Sequence, residues 1–376
     1  MATVIVFVSG CSTISRITEK SEEIPELEEL EPTAEISTAW SRNVGADHDR
    51  QYLRLRPFVA DAVVYAAGPE GDIAAVESAS GDVLWRTDTD ARISGGVHII
   101  DGLVVVGTLD GEVIALSAAD GTERWRARVS SEVLASPSGD GDVLVVRTID
   151  GKLYGLSAPD GQQRWVYDRT VPALTLRGTS APIVVGNLVI AGFDSGRLVA
   201  LDLREGRTFW ESRVSVPRGK TELERIVDID AEPIVIDDIV YAVTFQGQLV
   251  AVDLSSGEIL WRRDLSSFVG ISADLDHLYV TDDQSVIWAL DRSSGRSLWR
   301  QESLTKRHVT NATVFGPYLA VGDVEGYIHI LDRVDGVIVA RVEIDSDGFT
   351  TAPVVDGQHL IAHGRGGTLA AITVGE

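Results

Sequence analysis

Residues that could bind a metal ion or a phosphate group lie near the C-terminal end of the sequence. His359 and His363 are four residues apart, a spacing that on a helix places two zinc ligands on one face. The surrounding residues favour strands, and in a strand four residues span about 13 Å, which is too far for one metal ion. Residues 364–367 (GRGG) are similar to a phosphate-binding loop. No helical pattern follows them, so the sequence predicts a hairpin turn there.

The aspartates, serines and single cysteine of the chain also lack the spacing that a catalytic or metal site requires. Asp140-Gly141-Asp142 offers carboxylates for calcium, but such steps recur wherever the chain needs a turn. No serine lies in a Gly-x-Ser-x-Gly motif. Cys11 is the only cysteine, which excludes an intramolecular disulfide and a cysteine metal site. The sequence therefore predicts a protein that is not an enzyme and that has no cofactor and no metal site.

The elements that hold these residues are copies of one unit. A short apolar run precedes each copy's glycine, and eight such runs occur about 42 residues apart, a period typical of propellers and solenoids. Asp-Gly steps mark tight turns between segments of high β-propensity, and about 40 residues then provide the four strands of a propeller blade. In six copies the glycine is followed four residues later by tryptophan, at Gly81/Trp85, Gly121/Trp125, Gly161/Trp165, Gly206/Trp210, Gly257/Trp261 and Gly295/Trp299.

The two ends of the repeat array predict how a ring closes. The last copy, at residues 360–373, ends after its third strand, whereas residues 37–41 contain Trp40 without a preceding copy. An N-terminal strand that completes the last blade would remove an unpaired sheet edge. We therefore predict an all-β fold, a single eight-bladed β-propeller of four-stranded antiparallel blades over residues 37–376. The repeated tryptophans are interpreted as packing between blades, with sugar stacking as the alternative.

The first residues of the chain resemble a secretion signal. Residues 2–8 are apolar, and Val8-Ser9-Gly10-Cys11 is similar to the bacterial lipoprotein box. This pattern predicts a signal peptide over residues 1–10 and lipid modification of Cys11; the alternative is an inert thiol. Residues 19–31 hold seven Glu and one Lys, a composition that favours a solvated segment. Residues 11–36 are therefore predicted to be a lipidated flexible tether.

The overall charge limits the classes of ligand. The formal net charge is −24, so the ring would repel nucleic acid and anionic lipid headgroups. An organism from salty water would also show this acidity, because net charge governs solubility rather than one site.

Two consecutive links between blades are longer than the others, and the additional residues are 171–178 and 216–230. Both insertions join the last strand of one blade to the first strand of the next, so they emerge side by side on one face. In the first insertion, Leu174, Leu176 and Arg177 combine apolar anchors with a bidentate donor, which suits a protein interface. The alternative for both leucines is burial in the core.

The second insertion ends in two carboxylates. Asp228 and Asp230 alternate along the chain, so they are predicted to share one face. They are candidates for a partner-binding site; the alternatives are a solvated pair or an ion pair with Arg225 or Arg177.

Several of these segments resemble one family. Residues 174–182 (LTLRGTSAP), 221–230 (TELERIVDID), 320–327 (AVGDVEGY) and 346–349 (SDGF) are similar to the BamB family, the propeller lipoproteins of the β-barrel assembly machinery in Gram-negative outer membranes. The likeness covers the chain from Cys11 to the last strand. The Ala-x-Asp-x-x-x-Gly-x-x-x-Trp repeat is also found in quinoprotein dehydrogenases, so the repeat alone indicates the fold and not the function.

The resemblance implies a non-enzymatic scaffold, lipid-anchored at the periplasmic face of the outer membrane. Such a protein binds the POTRA domains of the barrel subunit BamA and assists the folding and insertion of β-barrel proteins, with unfolded outer-membrane proteins as further candidate ligands. The implied BamA-facing residues are Leu174, Leu176, Arg177, Asp228 and Asp230. The alternatives are a quinoprotein-type dehydrogenase, disfavoured by the single cysteine, and a saccharide-binding envelope lipoprotein, disfavoured by the lack of aromatic residues in the insertions.

Overall fold

The computed structural model describes residues 24–45, 52–169, 180–216, 220–221 and 223–375. Within them the chain forms eight four-stranded antiparallel sheets, each of which is one blade of a ring. The first strands of neighbouring blades contact each other, so they are the innermost strands. This architecture confirms the predicted eight-bladed propeller.

The strands follow the order of the repeats. Strand β1 (Glu35–Asn43) comes first in the chain and belongs to blade 8. Blades 1 to 4 contain, from the inside outwards, β2 (Phe58–Ala60), β3 (Val63–Ala67), β4 (Asp72–Glu77) and β5 (Val83–Asp88); β6 (Ile93–Ile100), β7 (Leu103–Thr108), β8 (Glu112–Ser117) and β9 (Glu123–Arg128); β10 (Ser138–Asp140), β11 (Val143–Arg147), β12 (Leu153–Ser157) and β13 (Gln163–Tyr167); and β14 (Ile183–Val185), β15 (Leu188–Phe193), β16 (Arg197–Asp202) and β17 (Thr208–Arg213). Blades 5 to 8 contain β18 (Ile234–Ile236), β19 (Ile239–Val243), β20 (Gln248–Asp253) and β21 (Ile259–Asp264); β22 (Gly270–Ala273), β23 (His277–Thr281), β24 (Ile287–Asp291) and β25 (Ser297–Gln301); β26 (Thr313–Phe315), β27 (Tyr318–Gly322), β28 (Tyr327–Asp332) and β29 (Ile338–Glu343); and β30 (Val354–Val355), β31 (Leu360–His363), β32 (Thr368–Gly375) and β1.

Among the described residues, tryptophan–glycine contacts join neighbouring blades at seven of the eight junctions; in blade 7 the tryptophan position holds Ala340. Trp40 in β1 lies over Gly81 of blade 1, where an added Cβ would lie 2.7 Å from the indole ring. The indole Nε1 of Trp40 donates a hydrogen bond to the Ser78 carbonyl at 2.7 Å. The same stacking recurs in Trp85/Gly121, Trp125/Gly161, Trp165/Gly206, Trp210/Gly257, Trp261/Gly295 and Trp299/Gly336. The interpretation of these tryptophans as packing between blades is confirmed.

The ring closes through the N-terminal strand, as predicted. β1 pairs with β32 in antiparallel register from Glu35↔Gly375 to Asn43↔Thr368, with one irregularity between Thr38 and Trp40. This pairing leaves β32 without an open edge and brings Trp40 onto blade 1.

The ring has two faces that differ in their connections. Because strands alternate in direction, the links between blades and the turns between second and third strands lie on the same face, which we call the link face. Backbone hydrogen bonds join these links and turns; for example, Val214 N donates to the Gly196 carbonyl at 2.9 Å and Val324 N to the Arg307 carbonyl at 3.2 Å. The remaining turns lie on the opposite face, the hairpin face.

The N-terminal region differs in part from its prediction. The proposed signal peptide and Cys11 lie outside the described residues. Residues 24–34, which we call the strap, lie against the ring: the amides of Thr33 and Ala34 donate to the Val339 carbonyl at 2.9 and 3.3 Å. Their acidic composition predicts a solvated tether. In the structure the acidic side chains are indeed exposed, but the backbone and the leucines of the strap contact the ring. Across the described parts of the chain, no helix has the length and apolar character needed to cross a bilayer.

Candidate protein-docking face

The candidate site lies on the link face at blades 3 to 5, where the two insertions emerge. Leu174, Leu176 and Arg177 lie outside the described residues, so their predicted role in partner binding stays a prediction. The residues that flank the first insertion, Arg169 and Ser180, are described. Their contacts show how the two ends of this insertion are held.

An ion pair between Arg169 and Glu211 fixes the chain just before the first insertion. Both terminal nitrogens of Arg169 donate to the Glu211 carboxylate, at 2.9 and 3.0 Å. Such a bidentate pair fixes the plane of the guanidinium as well as its position. The guanidinium of Arg169 also lies 5.7 Å from the centre of the Phe193 ring.

The C-terminal end of the first insertion rests on a buried ion pair. Nη2 of Arg147 lies 2.7 Å from an Asp194 carboxylate oxygen, and the two side chains are only 2% and 6% exposed. Nη1 of Arg147 donates to the Ser180 carbonyl at 3.2 Å, and the guanidinium lies 5.5 Å from the Phe193 ring centre. Phe193 therefore contacts both Arg147 and Arg169, which connects the supports of the two ends.

The second insertion contains a short capped helix. A 3-10 helix spans Leu223–Arg225. The Glu224 amide donates to Thr221 Oγ1 at 3.2 Å, and the Glu224 carboxylate accepts from the amides of Lys220 and Thr221 at 2.7 and 3.2 Å. This reciprocal arrangement is a capping box. The hydrogen bonds from Lys220 and Thr221 lower the pKa of the Glu224 carboxyl.

The capped helix presents an apolar side chain to solvent. Leu223 is 66% exposed, and Val216, near the start of the same insertion, is 48% exposed. Nε2 of Gln246, in the turn between β19 and β20, donates to the Leu223 carbonyl at 3.3 Å, which ties the helix to blade 5. Sequence reasoning missed Leu223, although the Thr-x-x-Glu pattern around it predicts a capped turn.

The two candidate aspartates are buried. Asp228 is 1% and Asp230 is 3% exposed, so the alternative of a solvated pair is wrong. The Phe245 amide donates to the Asp228 carbonyl at 2.9 Å. Between them, Ile229 packs over Gly192, where an added Cβ would lie 2.3 Å from the isoleucine. Alternation along the chain therefore places Ile229 on one side and both aspartates on the other. A role for these aspartates in partner binding stays a prediction.

The residues that follow the two insertions contact each other directly. Oγ of Ser180 donates a hydrogen bond to the Ala231 carbonyl at 3.1 Å, and both residues are buried. Ser180 follows the first insertion and Ala231 follows the second. The residues that follow the two insertions are therefore in contact, whereas the position of the first insertion itself stays a prediction.

The ring centre next to this site is crossed by an arginine. Nη1 of Arg54 donates to the Asp230 carbonyl at 3.3 Å and Nη2 to the Phe268 carbonyl at 2.7 Å. Arg54 belongs to the link from blade 8 to blade 1, whereas Asp230 belongs to the link on the opposite side of the ring. The Leu53 carbonyl accepts from Thr350 Oγ1 at 2.6 Å. The described part of this link therefore reaches across the ring centre and contacts the end of the second insertion.

The described residues offer no constellation for a metal. No group of three or more His, Cys, Asp or Glu residues among them is arranged to hold an ion. His363 instead contacts the carbonyls of Leu55 and Val44 at 3.2 and 3.3 Å, and His359 contacts an Asp356 carboxylate oxygen at 2.9 Å. These histidines position the ends of blade 8.

Comparisons with known proteins agree with this architecture. A sequence profile for the family described as outer membrane protein assembly factor BamB matches residues 69–301 and 294–376. The chain is 48% identical to BamB from Pseudomonas aeruginosa over 98% of this chain and 96% of that protein. It is 34% identical to BamB from Escherichia coli K12, again over 98% of this chain and 96% of that protein.

Solved structures show the same fold. BamB from Moraxella catarrhalis superposes with a TM-score of 0.81 at 29% identity, covering 90% of this chain and 99% of that chain. A quinohemoprotein alcohol dehydrogenase from Comamonas testosteroni superposes with a TM-score of 0.72 at 14% identity, covering 90% of this chain and 76% of that chain. The second likeness shows the propeller fold alone. The profile and the relatives show that the chain belongs to the BamB family of outer membrane protein assembly factors.

Proposed function

We propose that this protein is a non-enzymatic scaffold of outer-membrane protein assembly that binds the POTRA domains of a BamA-like barrel subunit through the link face of blades 3 to 5. The observation that supports the proposal is the contact between the residues that follow the two insertions: Ser180 Oγ donates a hydrogen bond to the Ala231 carbonyl, so the two links share one buried base. Rigid support lowers the entropy that a loop loses when it binds a partner.

The chemistry of this face suits a protein partner. Leu223 and Val216 offer exposed apolar surface. The sequence of the first insertion contains Leu174, Leu176 and Arg177, which we propose belong to the same docking face. Arginine is enriched among the central residues of protein interfaces, whereas leucine is less typical there, so Arg177 is the main candidate contact. Asp228 and Asp230 are buried in the free protein, so we propose that they act by holding the insertion in shape.

A lipid anchor would hold the scaffold at its site of action. We propose that Cys11 is acylated and that the protein lies at the periplasmic face of the outer membrane. The support is the Val8-Ser9-Gly10-Cys11 step after an apolar run. Several acyl chains would provide stable attachment, whereas one chain binds only reversibly.

Unfolded outer-membrane proteins are proposed as further ligands. Three neighbouring outermost strands each expose an apolar side chain: Phe209 is 60%, Leu260 is 51% and Leu298 is 52% exposed. Exposed apolar side chains beside the free edge of a strand suit an extended apolar chain.

Affinity purification from detergent-solubilised envelopes tests the proposed function. The tagged full-length protein should retain the barrel subunit, identified by mass, and reversal of Arg177 to Glu should reduce the amount retained. Asp283→Arg, in the turn between β23 and β24 of blade 6, is the matched control and should leave it unchanged. Equal retention by both folded variants would place the docking face elsewhere.

A further inference from the structure

The strap is attached to the outer side of blades 6 and 7 through its backbone. The Pro25 carbonyl accepts a hydrogen bond from Nη1 of Arg307, and the Glu28 carbonyl accepts one from Nη2 of Arg341 at 2.6 Å. Arg341 lies in β29, the outermost strand of blade 7. The strap therefore runs along an outer strand, held by two arginines from the ring.

The leucines of the strap face the protein. Leu27 and Leu30 are partly buried, whereas the neighbouring glutamates are exposed. Leu27 packs against the apolar cluster that contains Leu304. The groove that receives this part of the strap is lined by Gln301, Ser303, Leu304, Ile338 and Arg341. The strap thus has one apolar face and one acidic face, although its composition alone predicts a solvated chain.

Arg307, which binds the start of the strap, is held rigidly. Its side chain is fully buried, and Nε and Nη2 donate to one oxygen of buried Asp323 at 2.9 and 2.7 Å. Burial opposes ionisation of the Asp323 carboxyl, but hydrogen bonds from His329 and Arg307 outweigh this effect and hold its pKa below the ordinary value. The Glu325 carboxylate also accepts from Arg307. The guanidinium therefore has a fixed position from which one nitrogen reaches the strap.

The two ends of the strap lie on different faces of the ring. Arg307 belongs to the link between β25 and β26, so Pro25 is on the link face. At the other end, β1 begins at Glu35, which pairs with Gly375, while Asn43 pairs with Thr368 beside the link-face turn at residues 364–367. Glu35 is therefore on the hairpin face. The strap carries the chain from one face to the other.

We propose that the strap fixes the membrane anchor to the link face, so that the docking face of blades 3 to 5 lies on the membrane side of the ring. This inference rests on the proposed acylation of Cys11. With the strap in place, the 13 residues from Cys11 to Glu23 can span at most about 45 Å. Without it, the chain would leave from Glu35 on the hairpin face, and the 24 residues from Cys11 to Ala34 could span about 80 Å.

The strap thus selects which face of the ring meets the membrane and halves the reach of the anchor. A scaffold that binds a membrane-embedded partner gains from both effects, because a short link in the correct orientation raises the effective concentration of the docking face. A released strap would allow either face to approach the bilayer.

Energy transfer from single dyes to a labelled membrane tests this orientation. The acylated full chain is purified with one introduced cysteine, either Gln284→Cys on the link face or Ser294→Cys on the hairpin face of the same blade. Each labelled protein is bound to phosphatidylcholine vesicles that carry an acceptor on the lipid headgroup. We expect greater transfer from position 284 than from position 294.

A strap-release variant provides the comparison. Leu27→Asp combined with Arg341→Ala removes the apolar contact and the hydrogen bond to Glu28. The matched control, Leu260→Asp combined with Arg262→Ala, makes the same changes on the outermost strand of blade 5. The release variant should lose the difference between the two labels and should exchange the amide hydrogens of residues 33 and 34 faster; the control should change neither.

The outcomes separate the orientation from the anchor. If the unaltered protein does not float with the vesicles, the acyl anchor is wrong and the orientation fails with it. If the protein floats but both labels transfer equally, the anchor stands and the strap does not set the orientation. A difference that survives release of the strap, shown by fast exchange at residues 33 and 34, would also overturn the proposal.

Discussion

Ser180 Oγ lies 3.1 Å from the Ala231 carbonyl oxygen, and this hydrogen bond joins residues that are 51 positions apart and that each follow one of the two insertions. Ser180 is also held by Arg147, whose side chain is buried beside Asp194. The two successive links thus share one buried support at Ser180 and Ala231. The residues that follow both insertions are therefore anchored to the ring and to each other.

The first prediction concerns the ion pair under this support. Asp194→Ala should lower the free energy of unfolding by about 3 to 5 kcal/mol, because it leaves the Arg147 charge buried without its carboxylate. Urea denaturation measures this loss. In the matched control, Asp110→Ala breaks an exposed pair with Arg92 and should leave the free energy of unfolding almost unchanged, because solvent screens such a pair. Equal losses in the two variants would contradict the account.

The second prediction concerns closure of the ring. Trp40→Ala removes the indole that packs over Gly81 and should lower the free energy of unfolding by about 3 to 5 kcal/mol. Phe209→Ala, which truncates an aromatic residue that is 60% exposed on another outermost strand, should stay within about 0.5 kcal/mol of the unaltered protein. Denaturant midpoints that are the same for both variants would show that β1 does not hold the ring together.

The fold was predictable because it depends on local sequence patterns. Part of the candidate site was not, because it depends on contacts between residues that are far apart in sequence. The spacing of Gly81, Trp85 and their counterparts indicates blades because each turn depends on neighbouring residues. Trp40 has no preceding copy and the last copy lacks its fourth strand, so the sequence also indicates the closing strand. The hydrogen bond from Arg54 to the Asp230 carbonyl crosses the ring, and no local pattern predicts it. The burial of Asp228 likewise depends on turns of other repeats.

The third prediction is a pH dependence that arises from His98. Burial lowers the pKa of this imidazole from 6.5 to about 4, although a hydrogen bond with the Gly139 backbone opposes the shift. The unfolded chain therefore binds a proton at a higher pH than the folded protein does. This contribution to stability is fully present above pH 6.5 and is lost as the pH falls towards 4.

Denaturation series at several pH values measure this contribution. The difference in pKa corresponds to at most about 3 kcal/mol between these limits. His98→Gln should be less sensitive to pH than the unaltered protein, and His308→Asn, which replaces an exposed histidine, should not differ from it. An unaltered slope in His98→Gln would show that another group causes the loss of stability.

The fourth prediction concerns attachment to the membrane. Cys11→Ser removes the proposed acylation site and should release the protein into the soluble periplasmic fraction, because no acyl chain then enters the bilayer. Partitioning into detergent measures the change. Ser12→Ala, which alters the next residue, is the control and should remain in the detergent phase. Retention of Cys11→Ser in that phase would rule out acylation at this residue.

The most direct test of the proposed docking face is a titration of the purified protein with purified POTRA domains of a BamA-like subunit. Arg177→Glu should weaken binding by about 2 kcal/mol or more if this arginine is a central, desolvated contact. The control, Asp283→Arg on blade 6, should bind as the unaltered protein does. Denaturant midpoints establish that both variants are folded. Equal affinities of the unaltered protein and both folded variants would contradict docking through the insertions of blades 3 to 5.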